Sequence, residues 1–317
     1  MIKPAEVLVT GGAGFIGSHV VEGLFNKGYS VRIIDNLSAG KSTNICKSVK
    51  SGKVDFVEGD IRDIELVRKC VQDVDFVVHL AAIVSVPLSF EKPSLTHETN
   101  VNGTLNLLNA CLDAKVKKFI FASSCSVYGE SSYLPVDETH PTFPMSLYAE
   151  SKLASEHYCK DFQERHSLKT VVLRLFNVYG PRQSLNDYSG VITRFVENVK
   201  EDLPLTIYGD GSQTRDFVHV WDVVDAVSKA LKNDAAGGKV FNIGSGKPVS
   251  VNDLAKTVLK LAGADVGVIY EKARPGDIRY SFADISKAAT WLGYKPKISL
   301  TDGLRNLLGD LEMGDIQ

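Results

Sequence analysis

The stretch EVLVTGGAGFIG, residues 6–17, runs an apolar strand directly into a turn with glycines at positions 11, 14 and 17. Phe15, Ile16, His19, Val20 and Leu24 then recur at helical spacing. A strand, a G-x-x-G-x-x-G turn and a helix in that order constrain the chain strongly. Gly11, Gly14 and Gly17 permit a tight turn and a close approach of backbone to a pyrophosphate. The helix behind them supplies free N–H groups and a partial positive charge.

The same alternation continues. Apolar, β-branched runs at 29–35, 53–60, 74–82, 117–124 and 170–177 are separated by helical patterns near 61–72, 95–114 and 148–165. The runs are apolar nearly throughout, as strands covered on both faces are. The spacing predicts an α/β fold, a doubly wound parallel-sheet Rossmann domain with helices on both faces. After Asn177 the texture changes. A loop-rich stretch (178–190) precedes a helix at 191–201, strand-like sequence over 203–220, a helix at 221–232 and a strand in 239–246. A helix at 250–262, a strand at 266–270, a loop over 272–284 and two short helical pieces follow. We expect a cofactor-binding domain over 1–177 and a smaller, partly interleaved C-terminal lobe over 178–317. Segments near 216–244 are expected to return to the first.

Asp35 closes the second strand, 24 residues after Gly11. A carboxylate there accepts hydrogen bonds from both hydroxyls of an adenosine ribose and repels a 2′-phosphate, which selects NAD over NADP. Asp60, ending the third strand, is placed to accept from the adenine amino group. Composition narrows the partners. A net charge of -2 and scattered basic residues give no nucleic-acid footprint and no polybasic membrane anchor. No apolar run has the length of a membrane span, and the N-terminus carries no signal-peptide pattern. The five cysteines show neither C-x-x-C nor metal-ligand spacing, so we expect free thiols, no metal and a cytoplasmic location.

SLYAESK, residues 146–152, puts Tyr148 and Lys152 on one face of a helix. Ser124 ends the strand KKFIFASS. Ligands gather at the carboxyl ends of strands in a doubly wound sheet, so Ser124 and Tyr148 can meet there. A tyrosine with a reference pKa of about 10 needs nearby positive charge to act as a base, and Lys152 is expected to supply it.

These features, together with HLAA (79–82), NVNGT (100–104), SSCSVYG (123–129) and LRLFNVYGPRQ (173–183), resemble the extended short-chain dehydrogenase/reductase family. Within it the chain is most similar to the UDP-hexose 4-epimerases, over nearly its whole length. The resemblance implies a bound NAD, reduced and reoxidised in each turnover. It also implies that Phe15, Ile16, Asn36, Ile61, Leu80, Ala81, Ala82 and Asn100 line the cofactor, and that a homodimer forms through helices 95–114 and 148–165. Relatives that dehydrate or decarboxylate carry acids just after the catalytic serine or threonine. Cys125 and Ser126 stand there, and neither is a useful acid.

On the substrate side the resemblance places Asn177 at the diphosphate–sugar link, Val191 in the binding lobe and Tyr208 beside the uracil. Arg215 and Arg274 go to the phosphates and Asp277 to the uridine ribose, arginine suiting phosphate through its bidentate fork. Arg182 reads equally as a substrate arginine or a surface ion pair. Ser281 stands where strict glucose/galactose enzymes carry a tyrosine, and Ser85 where N-acetyl-accepting relatives carry a serine; either is otherwise a loop serine. The expected activity is an NAD-dependent UDP-hexose 4-epimerase acting on UDP-glucose/UDP-galactose and on UDP-GlcNAc/UDP-GalNAc. A 4,6-dehydratase, a UDP-glucuronate decarboxylase or epimerase, and a non-catalytic NAD-sensing regulator are the alternatives.

Overall fold

In the computed structural model, residues 4–52, 54–184, 190–273 and 276–309 are described; Arg274 lies outside them. The chain opens with β1 (Glu6–Thr10), α1 (Phe15–Asn26), β2 (Ser30–Asp35), α2 (Cys46–Lys50), β3 (Val54–Glu58), α3 (Ile64–Val71) and β4 (Phe76–His79). Then come α4 (Val86–Glu91), α5 (Pro93–His97), α6 (Gly103–Asp113), β5 (Lys118–Ser124), α7 (Leu147–His166) and β6 (Thr170–Leu175). Beyond β7 (Asn177–Tyr179) lie α8 (Val191–Lys200), β8 (Leu205–Tyr208), β9 (Thr214–His219), α9 (Val220–Lys232) and β10 (Lys239–Ile243). β11 (Pro248–Ser250), α10 (Val251–Ala262), β12 (Val268–Glu271), α11 (Ser286–Leu292) and α12 (Leu300–Leu308) complete the chain.

Seven parallel strands form the central sheet in the order β10-β6-β5-β4-β1-β2-β3. Chain order reverses between β1 and β4, so the loops leaving these two strands diverge and open a crevice at their carboxyl ends. Alternation along the strands sends neighbouring residues to opposite faces. Val7 and Val9 join one buried cluster with Val20, Leu24, Val223 and Val227 of α1 and α9. Leu8 joins the other with Val67, Leu107 and Phe162 of α3, α6 and α7. Lys118, at the start of β5, is fully buried and donates to the carbonyls of Ala230, Leu231 and Asn233 at the end of α9. A cation there satisfies orphan carbonyls and complements the helix dipole.

A third cluster holds Tyr179, Phe195, Leu205, Ile207, Phe217, Leu254 and Leu304, all from beyond Asn177. Two small sheets serve it, β11-β9-β7 and β12-β8. The expected strand over 170–177 therefore divides. β6 ends at Leu175 and pairs with β5 and β10, while β7 starts at Asn177 and pairs with β9. The strand-like stretch 203–220 likewise supplies β8 to one sheet and β9 to another. Between them Gly209 and Gly211 turn the chain with φ of +79° and +73°, open to glycine at no steric cost. The expected helix over 95–114 is interrupted by a π-helical turn, Glu98–Asn102. Among the described residues, no helix is long and apolar enough to cross a membrane.

Candidate active site

The glycine turn lies at the reversal point. Gly11 has φ +69°, and a Cβ on it would stand 2.8 Å from the Ala81 nitrogen at the end of β4. A Cβ on Gly17 would stand 2.0 Å from the Gly11 carbonyl oxygen. Side chains at either position would push the turn off β4 or α1 off the turn. Gly14 is the N-cap of α1 and no side chain caps the helix, so its first-turn N–H groups are available to an anion. Phe15 and Ile16, in that first turn, are partly exposed. This cradle, with a carboxylate at the end of β2, fits a dinucleotide.

That carboxylate also shapes the turn. Asp35 is buried, its Oδ2 accepts from the Ala13 N–H at 2.9 Å and its Oδ1 from the Leu37 N–H at 2.8 Å. Asp60 is held by the Arg62 guanidinium (Nε–Oδ1 3.0 Å, Nη2–Oδ2 2.8 Å) and by Asn36 Nδ2 at 2.9 Å. The hydrogen bond from Arg62 draws its pKa down to about 2. Ile61 is buried, and a Cβ on Gly103 would stand 2.6 Å from its Cδ1.

Asn100 sits in the π-helical turn, and its amide is consumed inside the protein. Oδ1 accepts from the Ile83 N–H at 2.8 Å, while Nδ2 donates to the Ile83 carbonyl at 3.0 Å and to Ser151 Oγ at 2.9 Å. Its side chain thus pins the loop that carries Leu80, Ala81 and Ala82 against α7. Thr10 and His79 brace the other side of that loop. Thr10 Oγ1 accepts from the Leu80 and Ala81 N–H groups at 3.2 Å and 3.1 Å, so its own proton goes to His79 Nδ1, 2.7 Å away. His79 Nε2–H then donates to Thr104 Oγ1 at 2.9 Å.

Ser124 ends β5 and Tyr148 opens α7, whose N-cap Ser146 accepts from the Ala149 N–H. Sheet and helix thus place Ser124 beside the Tyr148 phenol. Burial pushes the Tyr148 phenol up to about 12, and the neighbouring Ser124 hydroxyl opposes that rise. Burial pulls Lys152 down to about 8. Its Nζ donates to the Ala122 carbonyl at 2.9 Å and stands 4.9 Å from the centre of the Phe121 ring. The expected lowering of Tyr148 by Lys152 is therefore not what the protein alone produces. At about 12 the phenol is protonated near neutrality. Beside them, burial pushes the Cys125 thiol up to about 12, with Arg215 opposing. Ser126 Oγ is buried without a hydrogen-bond partner among the described residues. Neither group can serve as an acid near neutral pH.

Behind the three hydroxyl- and amine-bearing residues lies a buried ion pair that the sequence reading did not single out. Arg174 Nη2 meets Glu156 Oε2 at 2.6 Å, and Ser123 Oγ donates to Glu156 Oε1 at 2.5 Å. Glu156 is one turn beyond Lys152, and Arg174 pairs in register with Ser123. An arginine inside the apolar run VVLRLF was the available signal.

On the far side of the crevice, Arg215 is ion-paired with Asp277. Asn177 Nδ2 donates to the Asp216 carbonyl at 3.2 Å. The Asp216 carboxylate, wholly buried, accepts from the N–H groups of Ser245, Gly246 and Ala283 and from Ser245 Oγ. It thereby ties β9 to the segment that carries Ser281, which is itself buried. Tyr208 ends β8 half-buried, and Val191 begins α8. Ser85 serves as the N-cap of α4, accepting from the Leu88 N–H at 3.1 Å. Arg182 is not brought to this group. Its guanidinium lies on α1, with Nη2 at 2.5 Å from Glu22 Oε2.

Residues 7–244 match the NAD dependent epimerase/dehydratase family. A putative UDP-glucose 4-epimerase of Methanocaldococcus jannaschii is 42% identical over 306 residues, covering 95% of this chain and 97% of the relative. UDP-glucuronic acid decarboxylase 1 of Arabidopsis thaliana is 33% identical, over 97% of this chain and 70% of its own length. The Thermotoga maritima UDP-glucose 4-epimerase, solved with UDP-glucose, superposes with a TM-score of 0.91 at 40% identity, covering 96% of this chain and 98% of that one. The Methanobrevibacter ruminantium UDP-N-acetylglucosamine 4-epimerase, solved with UDP-N-acetylmuramic acid, gives 0.93 at 38% identity, covering 98% of each chain.

Proposed function

The chain belongs to the NAD dependent epimerase/dehydratase family, and on that premise we propose that it is a UDP-hexose 4-epimerase. It interconverts UDP-glucose with UDP-galactose and UDP-GlcNAc with UDP-GalNAc through a transient 4-keto sugar. The observation that carries this reading is the placement of Ser124, at the end of β5, beside Tyr148, in the first turn of α7, with Cys125 and Ser126 rather than acids next to Ser124. The site can move a proton at one sugar hydroxyl but has no acid next to Ser124 to eliminate water or to steer decarboxylation.

Tyr148 takes the proton of the sugar 4-hydroxyl and later returns it. Ser124 bonds the reacting oxygen. Lys152, anchored on Ala122, fixes the base helix against β5 and contributes its cation to the site. NAD bound there would supply the hydride acceptor and donor for C4 and a positive charge near Tyr148. Gly11, Gly14, Gly17 and the N-terminus of α1 would hold its pyrophosphate and Asp35 its ribose. Asn177, Arg215, Asp277 and Tyr208 would retain the diphosphate and uridine while the sugar turns over, with the Arg215–Asp277 pair opening to receive them. The buried, small Ser281 leaves room for an N-acetyl group.

A cofactor lobe over 1–177, to which segments near 216–244 return, and a sugar-nucleotide lobe over the rest of 178–317 belong to the same proposal, supported by the separate buried cluster beyond Asn177 and by β10 in the large sheet. So do a cytoplasmic location, which the five free cysteines suit, and a homodimer through the helices at 95–114 and 148–165. A hollow lined by Pro93, His97, Val101, Leu147 and Ala154 on that face supports the second. Incubating the protein separately with UDP-galactose, UDP-GalNAc and UDP-glucuronate and resolving the products tests the reading. Inversion at C4 of the first two supports it, and release of carbon dioxide from the third contradicts it.

A further inference from the structure

We propose that Arg182 is a clasp between the two halves of the site and a positioning residue for the reaction, not a ligand of the nucleotide sugar. The inference rests on the epimerase reading above for its effect on turnover, and on geometry for its existence.

Arg182 follows β7 in the segment Tyr179-Gly180-Pro181-Arg182-Gln183. Its guanidinium reaches α1 at two points one helical turn apart. Nη2 lies 2.5 Å from Glu22 Oε2, and Nη1 lies 3.4 Å from Ser18 Oγ. α1 is the helix whose N-terminus forms the glycine turn. The next side chain goes to the other half. Gln183 Oε1 accepts from Thr193 Oγ1, 2.9 Å away on α8. α1 packs into the cluster under the large sheet, whereas Ile192 and Phe195 of α8 belong to the cluster beyond Asn177. Two adjacent residues thus reach opposite halves of the molecule.

The backbone is held to suit this. Arg182 has φ +65°, in the left-handed region that L side chains rarely adopt. Gly180 precedes it with φ +152°, and a Cβ there would stand 2.6 Å from Val220 Cγ1 at the start of α9. The segment is therefore pressed onto α9 by Gly180, tied to α1 by Arg182 and tied to α8 by Gln183. Both guanidinium contacts are made to the protein, on the flank of α1. Loosening the clasp would leave the uridine and diphosphate contacts intact but let the sugar-bearing half shift over the glycine turn. Catalysis is more sensitive than binding to such a shift, since a displacement of about 1 Å can cost about 10²-fold in rate.

The test compares wild type with Arg182→Gln, Glu22→Gln and the double variant, using UDP as the binding probe and UDP-galactose turnover as the rate. We expect each single variant to lose about 10- to 100-fold in kcat. The double variant should be no worse than the poorer single, because one contact is removed in all three. UDP affinity should stay within about threefold throughout. The charge exchange Arg182→Glu with Glu22→Arg should recover part of the rate that either reversal loses alone. Weakened UDP binding in Arg182→Gln with a silent Glu22→Gln overturns the clasp and makes Arg182 a ligand. Unchanged kcat in all three variants overturns it as well. If the wild type turns over no UDP-hexose, the epimerase reading fails separately. Thermal unfolding of the same four proteins then decides, and strictly additive shifts in Tm contradict the clasp.

Discussion

Lys152 stands one turn beyond Tyr148 on α7, yet its ammonium donates to the Ala122 carbonyl of β5, 2.9 Å away. The bond joins the helix that carries Tyr148 to the strand that ends in Ser124. Lys152 is thus an anchor as well as a charge, and the two parts of its role separate under substitution. Lys152→Met removes both and should lower turnover by about 10²-fold or more, since alignment of Tyr148 and Ser124 is lost with the cation. Lys152→Arg keeps the cation but cannot repeat the single short bond to Ala122, and should recover only part of the rate. Equal rates for Lys152→Met and wild type would remove Lys152 from the account.

The Glu156–Arg174 pair should matter to stability more than its neutral replacement would. Both side chains are almost wholly buried. Glu156→Met leaves the Arg174 cation buried and unpaired, which should cost about 3–5 kcal/mol. Converting both residues to methionine removes both charges and should restore most of that loss. Urea unfolding of the three variants checks the order. A double variant no more stable than Glu156→Met would show that the hydrogen bond to Ser123, and not the charge balance, is what counts.

Acid should destabilise the protein through two buried histidines. Burial pulls His19 and His219 down to about 4. Each binds its proton more readily unfolded than folded, so the stability they allow is present above pH 6.5 and is lost as pH falls from there towards 4. Between about pH 7.5 and about pH 5 the loss should be about 2 kcal/mol for each. His19→Gln should flatten the slope by one histidine's share. A stability curve for His19→Gln parallel to that of wild type over this range would contradict the assignment.

Ser281 is buried beside the segment tied down by Asp216. Ser281→Tyr places a ring where the proposal needs space for an N-acetyl group. Overpacking of about 1–3 kcal/mol should cut UDP-GalNAc turnover by roughly one to two orders of magnitude. UDP-galactose should suffer less. The ratio of kcat/KM for the two substrates, in both proteins, is the readout. An unchanged ratio would mean that Ser281 does not gate the pocket.

Much of this was legible in the sequence where a short local pattern determines the geometry. Gly11, Gly14 and Gly17 announce the turn because only glycine tolerates the approach to Ala81 and the contact of Gly17 with Gly11. Tyr148 and Lys152 announce a shared helical face, and the ending of β5 announces where Ser124 must meet them. Long-range pairing was not legible. That Arg174 would find Glu156, or that His79 would lock between Thr10 and Thr104, depends on which strands become neighbours. The partners of loop side chains were not legible either. The π-helical turn aims the Asn100 amide at Ile83 and Ser151. Arg182, with a positive φ, lies against α1, and nothing in its motif announces that partner.

The central claim is that Tyr148 and Ser124 serve a reversible oxidation at C4 and nothing beyond it. The most direct measurement follows a label. UDP-galactose carrying deuterium at C4 is incubated with the purified protein and with Tyr148→Phe, and the products are read by NMR and mass. The account predicts UDP-glucose with the deuterium still at C4 from the wild type, and a rate lower by roughly 10²–10⁴ from Tyr148→Phe. Deuterium at C6 of a dehydrated product, or equal rates from the two proteins, would contradict it.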